Sequence, residues 1–344
     1  MSILHRLALL AALAFAPEAA QAQTVYEMRA PERGASLVRL DGPGPGIGEA
    51  PSRVGLRLAY GQVRPLSLQG GKLVLGEEQD VPPDAGPRPD GILPDGIVTA
   101  GANDIARAWL TDPTGRYAHG VLGDKTEAGG LVLELRDGSL RTYRLDTGSV
   151  FEDRRVRLYD LDGDGRDEAI VVQSYLYAGA TLAVFRSGPG GTEFVGEVPP
   201  IGKPNRWLNP AGIADFDGDG AVEIAYVETP HIGGVLKLYE LRDGELVPDG
   251  EKQGFSNHAI GSREQEMAAV HDWNGDGIAD IALPGPRRTL LRFVTFAKDN
   301  AVEILRVANP VTIVSAVRPA VLDASGTVYA VYIREDGTVI AVRP

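Results

Sequence analysis

The 344-residue chain contains no cysteine. It can therefore form no disulfide, and it offers no thiol for lipid attachment of the bacterial lipoprotein kind. If exported, it must be held by its core, by closure of its fold or by metals. Long amphipathic helical patterns are scarce, and beyond the N-terminal run described below no apolar stretch approaches the length that spans a bilayer. Basic charge is also short: 34 Lys and Arg stand against 47 Asp and Glu, a net charge of -13. Phosphate backbones would be repelled by such a chain, which argues against a nucleic-acid partner. Catalytic signatures are missing as well. There is no HExxH, nucleophile elbow, phosphate loop or dinucleotide loop.

What is abundant is glycine and proline, 43 and 24 residues. With 43% hydrophobic residues, that composition fits many short strands joined by tight turns around a core. The first residues read as a processing segment. His5 and Arg6 precede an apolar run from Leu7 to Ala16, and Ala20-Gln21-Ala22 supplies a small-x-small cleavage pattern. The expectation is a signal peptide over 1–22, a mature domain over 23–344, no membrane insertion after cleavage, and a periplasmic or secreted protein.

One pattern occurs three times. Asp160-Leu161-Asp162-Gly163-Asp164-Gly165, Asp215-Phe216-Asp217-Gly218-Asp219-Gly220 and Asp272-Trp273-Asn274-Gly275-Asp276-Gly277 start 55 and 57 residues apart. Positions 1, 3 and 5 of each offer side-chain oxygens, and Gly at position 6 permits the reversal that wraps the chain about an ion. Position 7 (Arg166, Ala221, Ile278) can turn its carbonyl inward, and position 9 (Glu168, Glu223, Asp280) brings another carboxylate. Oxygen-only ligands in a flexible loop select Ca²⁺ over metals that prefer His or Cys. About three Ca²⁺ sites are expected. Asp167, at position 8 of the first loop, competes with Glu168 as the ligand.

These are not EF-hands. Position 12 is Val171, Tyr226 or Leu283 rather than Glu, and the residues that follow read as strands, such as Ala169-Ile170-Val171-Val172. With this loop joining two strands, the chain resembles the FG-GAP and VCBS repeats of integrin-type propellers. The resemblance implies an all-β propeller of four-stranded antiparallel blades, with Ca²⁺ held between the first and second strands of a blade. Two loops depart from the usual Asp at position 9 by carrying Glu.

Each clear loop leads into a strand and then two further strand-turn units, and these three with the strand before the loop make four. A degenerate copy is expected at Ala108 to Gly115 and another at Val321 to Gly326, neither retaining enough ligands to bind Ca²⁺ well. Residues 53–76 make one more blade, so the count is about six, with seven as the alternative. The last blade is one strand short, and an early strand, Thr24 to Met28 or Ser36 to Leu40, is expected to close the ring. The stretches Gly42 to Pro51 and Val81 to Pro94 read as surface loops.

Candidate ligand contacts fall in connections: Arg206 and Trp207 before the second loop's strand, His231 after it, and Asn257 and His258 before the third blade. These residue types suit carbohydrate or peptide contact. The function expected is a non-enzymatic binding or scaffold module for a protein or glycan. The alternative is a carbohydrate-active enzyme such as a polysaccharide lyase, for which His231, His258 and Arg206 would have to converge.

Overall fold

The computed structural model describes residues 23–41, 50–81, 87–297 and 301–344. The signal-peptide reading of 1–22 and parts of both expected surface loops lie outside these residues. Among the described residues the chain is all-β, with two short 3-10 turns and no helix long and apolar enough to cross a membrane.

Six groups of strands follow one another. Five have the same up-and-down order, and the fourth group shows it most simply. Its strands are Leu208–Ala214, Glu223–Glu228, Val235–Arg242 and Glu245–Gln253, each antiparallel to the next. The first group begins at Ser36–Arg39 and ends at Lys72–Leu75. The fifth runs from Ala269–His271 to Val302–Ala308. The second, Thr99–Ala100 to Leu140–Arg144, and the third, Arg157–Tyr159 to Gly191–Glu197, are fused into one nine-stranded sheet. Four-stranded blades throughout were expected. The fusion arises because Ser149–Phe151, in the connection between the two groups, is extended and pairs with a strand of each.

Burial explains the strand composition. Glu168–Tyr175 is buried over seven consecutive residues because neighbouring sheets cover both its faces, so it reads as an almost continuous apolar run. The outermost strand of the fourth sheet, Glu245–Gln253, is largely exposed and carries Glu, Asp and Lys. The repeat persists in fine geometry. Pairing of the third with the fourth strand slips by one residue between Val184 and Phe185, between Leu238 and Tyr239, and between Phe293 and Val294. Such bulges increase local twist, and their recurrence at one place in three sheets marks a structural repeat.

The sixth sheet settles which early strand pairs with the end of the chain. Arg318–Val321, Val328–Ile333 and Thr338–Arg343 supply three strands, and Thr24–Arg29 supplies the fourth, with Thr24 opposite Arg343 and Arg29 opposite Thr338. Ser36–Arg39 belongs instead to the first sheet.

The degenerate copy expected at Ala108 to Gly115 is corrected. Ile105–Thr114 is one strand paired with Glu127–Leu135, and the turn lies earlier, between Ala100 and Ile105. Asp112-Pro113-Thr114-Gly115 has turn composition, but Asp112 takes a left-handed φ of 56° within the strand and the pairing continues past it. At Val321 to Gly326 the turn falls where expected.

Buried apolar clusters join the sheets in pairs. They link the second to the third, the third to the fourth, the fourth to the fifth, the fifth to the sixth, and the sixth to the first. No cluster of the described residues joins the first to the second. Polar ties also reach between sheets distant in sequence. Glu266, just before the fifth sheet, accepts hydrogen bonds from Arg155, just before the third, and from Arg318, which opens the sixth. Arg154 donates to Asp95 and to the carbonyl of Arg263.

Candidate metal centres and the face opposite them

Each acidic loop joins the first strand of its sheet to the second, and its position-2 residue roots it in the core. Leu161, Phe216 and Trp273 are all buried. The same four hydrogen bonds then fold each loop on itself. The position-1 Asp accepts the N–H of position 6 (Gly165 to Asp160, Gly220 to Asp215, Gly277 to Asp272) at 2.9 to 3.0 Å. Position 3 accepts from position 5: Asp164 to Asp162, Asp219 to Asp217, Asp276 to Asn274. Position 5 accepts from position 7: Arg166 to Asp164, Ala221 to Asp219, Ile278 to Asp276. The carboxylate at position 9 accepts the N–H of position 2: Leu161 to Glu168, Phe216 to Glu223, Trp273 to Asp280.

The loop glycines make this winding possible. Gly165, Gly220 and Gly277 have φ of 84°, 93° and 91°, a region that side-chain-bearing residues rarely adopt. Asp167 does not compete with Glu168. Its carboxylate turns to the second sheet, where it accepts from the backbone and the side-chain amide of Asn103.

The donor set fits a hard cation in the first two loops. Asp215, Asp217, Asp219 and Glu223 bring ligand oxygens within 4.8 Å of one another, as do Asp160, Asp162 and Glu168. Oδ1 of Asp160 is buried without a hydrogen-bond partner, which a cation would supply. The third loop keeps the same fold but gathers no such trio, and its Asn274 amide donates to Asp276. Position 9 is the innermost: Glu168, Glu223 and Asp280 are at most 1% exposed. Burial, reinforced by the other carboxylates of the loop, pushes these groups up to about 7, 8 and 7.

A pH dependence follows. The metal-free folded chain holds protons on these groups that the unfolded chain releases above the ordinary values of 4.5 and 3.8. Folded stability is therefore lost as pH rises from there to about 8. Calorimetry in chelator should show the melting temperature falling across that interval, and Glu223→Gln should flatten the fall. A cation bound by these carboxylates would hold them ionised, and in its presence the fall should disappear.

The predicted ligand residues lie at the other end of the strands. In an up-and-down sheet, connections from second to third strand and from one sheet to the next sit opposite the loop between first and second. Arg206, Trp207, His231, Asn257 and His258 all occupy such connections. The structure brings three of them together. His231 Nε2 lies 2.8 Å from His258 Nδ1, and the Trp207 ring stacks parallel to His231 and packs against His258. Asn257 serves the backbone, donating to the carbonyls of Asn209 and Pro210. The Arg206 side chain donates to the adjacent Asn205 carbonyl and does not join the histidines.

Sequence reasoning missed several neighbours. His119, from the connection 115–126, bonds the fully buried Glu152 at 2.8 Å, and Glu152 also accepts from Ser174. Trp207 donates to the carbonyl of Glu152. The 115–126 connection reaches across this face to the link between the fourth and fifth sheets, where Gly261 donates to the carbonyl of Val121. Arg288, in a turn of the fifth sheet, donates to the carbonyl of His258. The only available signals were a lone His and one of two Arg-Arg pairs in connections, and local sequence does not say which connections meet.

No curated protein matches the chain. One protein family does, described as FG-GAP-like repeat, over residues 160–226, which span the first loop, the strands that follow it and the second loop. On that match, and on three loops wound by one hydrogen-bond pattern, this chain carries FG-GAP-like repeats.

Proposed function

We propose that the chain is an exported, Ca²⁺-stapled propeller of six blades, and that it binds a protein or glycan ligand on the face opposite its metal loops. The observation that carries the metal assignment is the four-bond pattern repeated in three loops, with carboxylate oxygens drawn together in two of them. Asp160, Asp162, Asp164 and Glu168 would hold one ion, and Asp215, Asp217, Asp219 and Glu223 a second. Asp272, Asn274, Asp276 and Asp280 would hold a third. The carbonyls of Arg166, Ala221 and Ile278 would complete the three sets. The ion supplies cross-linking charge and no reaction step: it ties the first and second strands of a blade and neutralises carboxylates that otherwise repel.

Ring closure is supported from two directions. Five shared cores link the sheets in succession, and the N-terminal strand completes the last sheet. The Glu266 ties to Arg155 and Arg318 draw together sheets far apart in that succession, as curvature about a common axis requires. Rigid connections on a closed scaffold suit recognition. Export to the periplasm or beyond follows from the N-terminal segment.

The lyase reading keeps one supporting observation, the contact between His231 and His258. A glycan array combined with an absorbance assay for unsaturated products separates the two. Binding without turnover is expected; unsaturated products from any retained glycan would reassign the chain as an enzyme.

A further inference from the structure

Among the described residues, the face opposite the metal loops carries a cleft of about 430 Å³, lined by His231, Arg287, Arg288, Phe255, Pro230 and Ile260 among others. In a chain of net charge -13, none of its lining residues is acidic and two are arginines. Arg287 and Arg288 both sit at left-handed φ, 60° and 54°. Two successive side-chain-bearing residues in that region are rare, and such conformations cluster at ligand sites.

Arg288 donates from Nη1 to the carbonyl of His258, which fixes one side of the guanidinium. Its Nε–H is buried without an acceptor, and no hydrogen bond from Nη2 occurs among the described residues. Nε lies out of a ligand's reach, and Nη2 is left as the donor to a carboxylate in the cleft. The carboxylate nearest in charge is Glu335, which accepts the Thr312 hydroxyl instead and forms no ion pair with Arg288.

His231 presents the opposite polarity. The carbonyl of Ser262 can only accept, so His258 Nε2, 2.9 Å away, carries the proton and His258 Nδ1 is bare. His231 Nε2 must then donate to that nitrogen. Burial keeps both rings neutral, holding His231 down at about 4 and His258 at about 3. His231 Nδ1 is thus a fixed acceptor, and no described group donates to it. The cleft lining therefore combines a guanidinium donor for a carboxylate, a hydroxyl acceptor and apolar walls at Pro230, Phe255 and Ile260.

We infer that this cleft binds a uronic acid sugar, with Arg288 taking the carboxylate, His231 Nδ1 accepting a ring hydroxyl and the apolar side chains covering the C–H face of the ring. The inference rests on the reading of this face as the ligand-binding one and names the class of ligand. Uronic acids carry carboxylate and hydroxyl on one rigid ring, and the cleft has the volume of a small-ligand site.

The test is isothermal titration of the full mature chain in Ca²⁺ with three probes: methyl glucuronide, methyl glucoside and lactate. The glucuronide should bind. The glucoside, lacking the carboxylate, and lactate, lacking the ring, should each bind at least tenfold more weakly. Arg288→Gln and His231→Phe should each weaken glucuronide binding at least tenfold while melting in Ca²⁺ as the parent does, and Arg206→Ala should leave it unchanged. Equal binding of the glucoside overturns the carboxylate role, and equal binding of lactate overturns the sugar. Absence of binding, or full binding by both cleft variants, overturns the site. If Ca²⁺ still raises the melting temperature, that failure leaves the propeller reading standing; loss of the Ca²⁺ effect strikes the propeller reading itself.

Discussion

Chelation should lower the melting temperature of the chain on the order of 10 °C, and Ca²⁺ but not Na⁺ should restore it. An ion that binds only the folded state adds RT ln(1 + [L]/Kd), about 2.7 kcal/mol per site at a hundredfold excess. Three sites would add about 8 kcal/mol if independent, and in a domain of this size each kcal/mol moves the melt by about 2 °C. The loops cannot be replaced by their own hydrogen bonds. Those bonds leave the charge in place, and carboxylate oxygens gathered within 4.8 Å of one another repel. Asp217→Ala removes one ligand of one ion and should lower the melt by roughly a third of the chelator effect. Further addition of chelator to that variant should produce the remainder. Scanning calorimetry in matched Ca²⁺ and chelator buffers measures both.

A chain lacking residues 24–29 should lose on the order of 5 kcal/mol and begin to self-associate. Thr24–Arg29 lies along Thr338–Arg343 over six register positions, and Tyr26 and Met28 pack on the core shared by the sixth and first sheets. Tyr26 also meets Tyr329 edge to face at 5.9 Å between ring centres. Deleting the strand strips that packing, at about 1 kcal/mol for each half-buried side chain, together with a ladder of backbone hydrogen bonds worth about 1 kcal/mol each. It also uncovers the edge of a strand with five successive buried residues, which invites pairing with another chain. Tyr26→Ala keeps the backbone ladder and should cost about 1 kcal/mol. Urea titration and size-exclusion chromatography report the two effects. A truncated chain that unfolds at the parent's urea concentration and stays monomeric would show that the strand is a passive tail.

The loops were legible because Asp or Asn recurs at every second position with glycine at the sixth, so three copies stand out from any background. That an early strand completes the last sheet was legible by a different argument, from the edge that sheet would otherwise leave unpaired; which of Thr24 to Met28 and Ser36 to Leu40 supplies it was not. The phase of the second sheet was not legible. Its first strand, Thr99–Ala100, is two residues long, its turn has lost the acidic pattern, and Asp112-Pro113 imitates a turn inside a strand. On the opposite face, sequence singled out Trp207, His231 and His258 because His and Trp in connections are uncommon, and these do meet. It could not find Glu152, whose role comes from bonding His119 across two connections, or Arg288, whose importance lies in a left-handed backbone and an unanswered N–H. It also could not show that Arg206, next to Trp207 in the chain, points elsewhere.

The central claim is that divalent ions, held by oxygen alone, staple adjacent strands of a closed ring of sheets. A crystal structure grown in Ca²⁺, with the ions located by anomalous scattering, tests it most directly. The account predicts peaks inside loops 160–168, 215–223 and 272–280, each with oxygen ligands at about 2.3–2.6 Å, and a first sheet packed against the second. Loops without ions at saturating Ca²⁺, or first and second sheets standing apart, would contradict it.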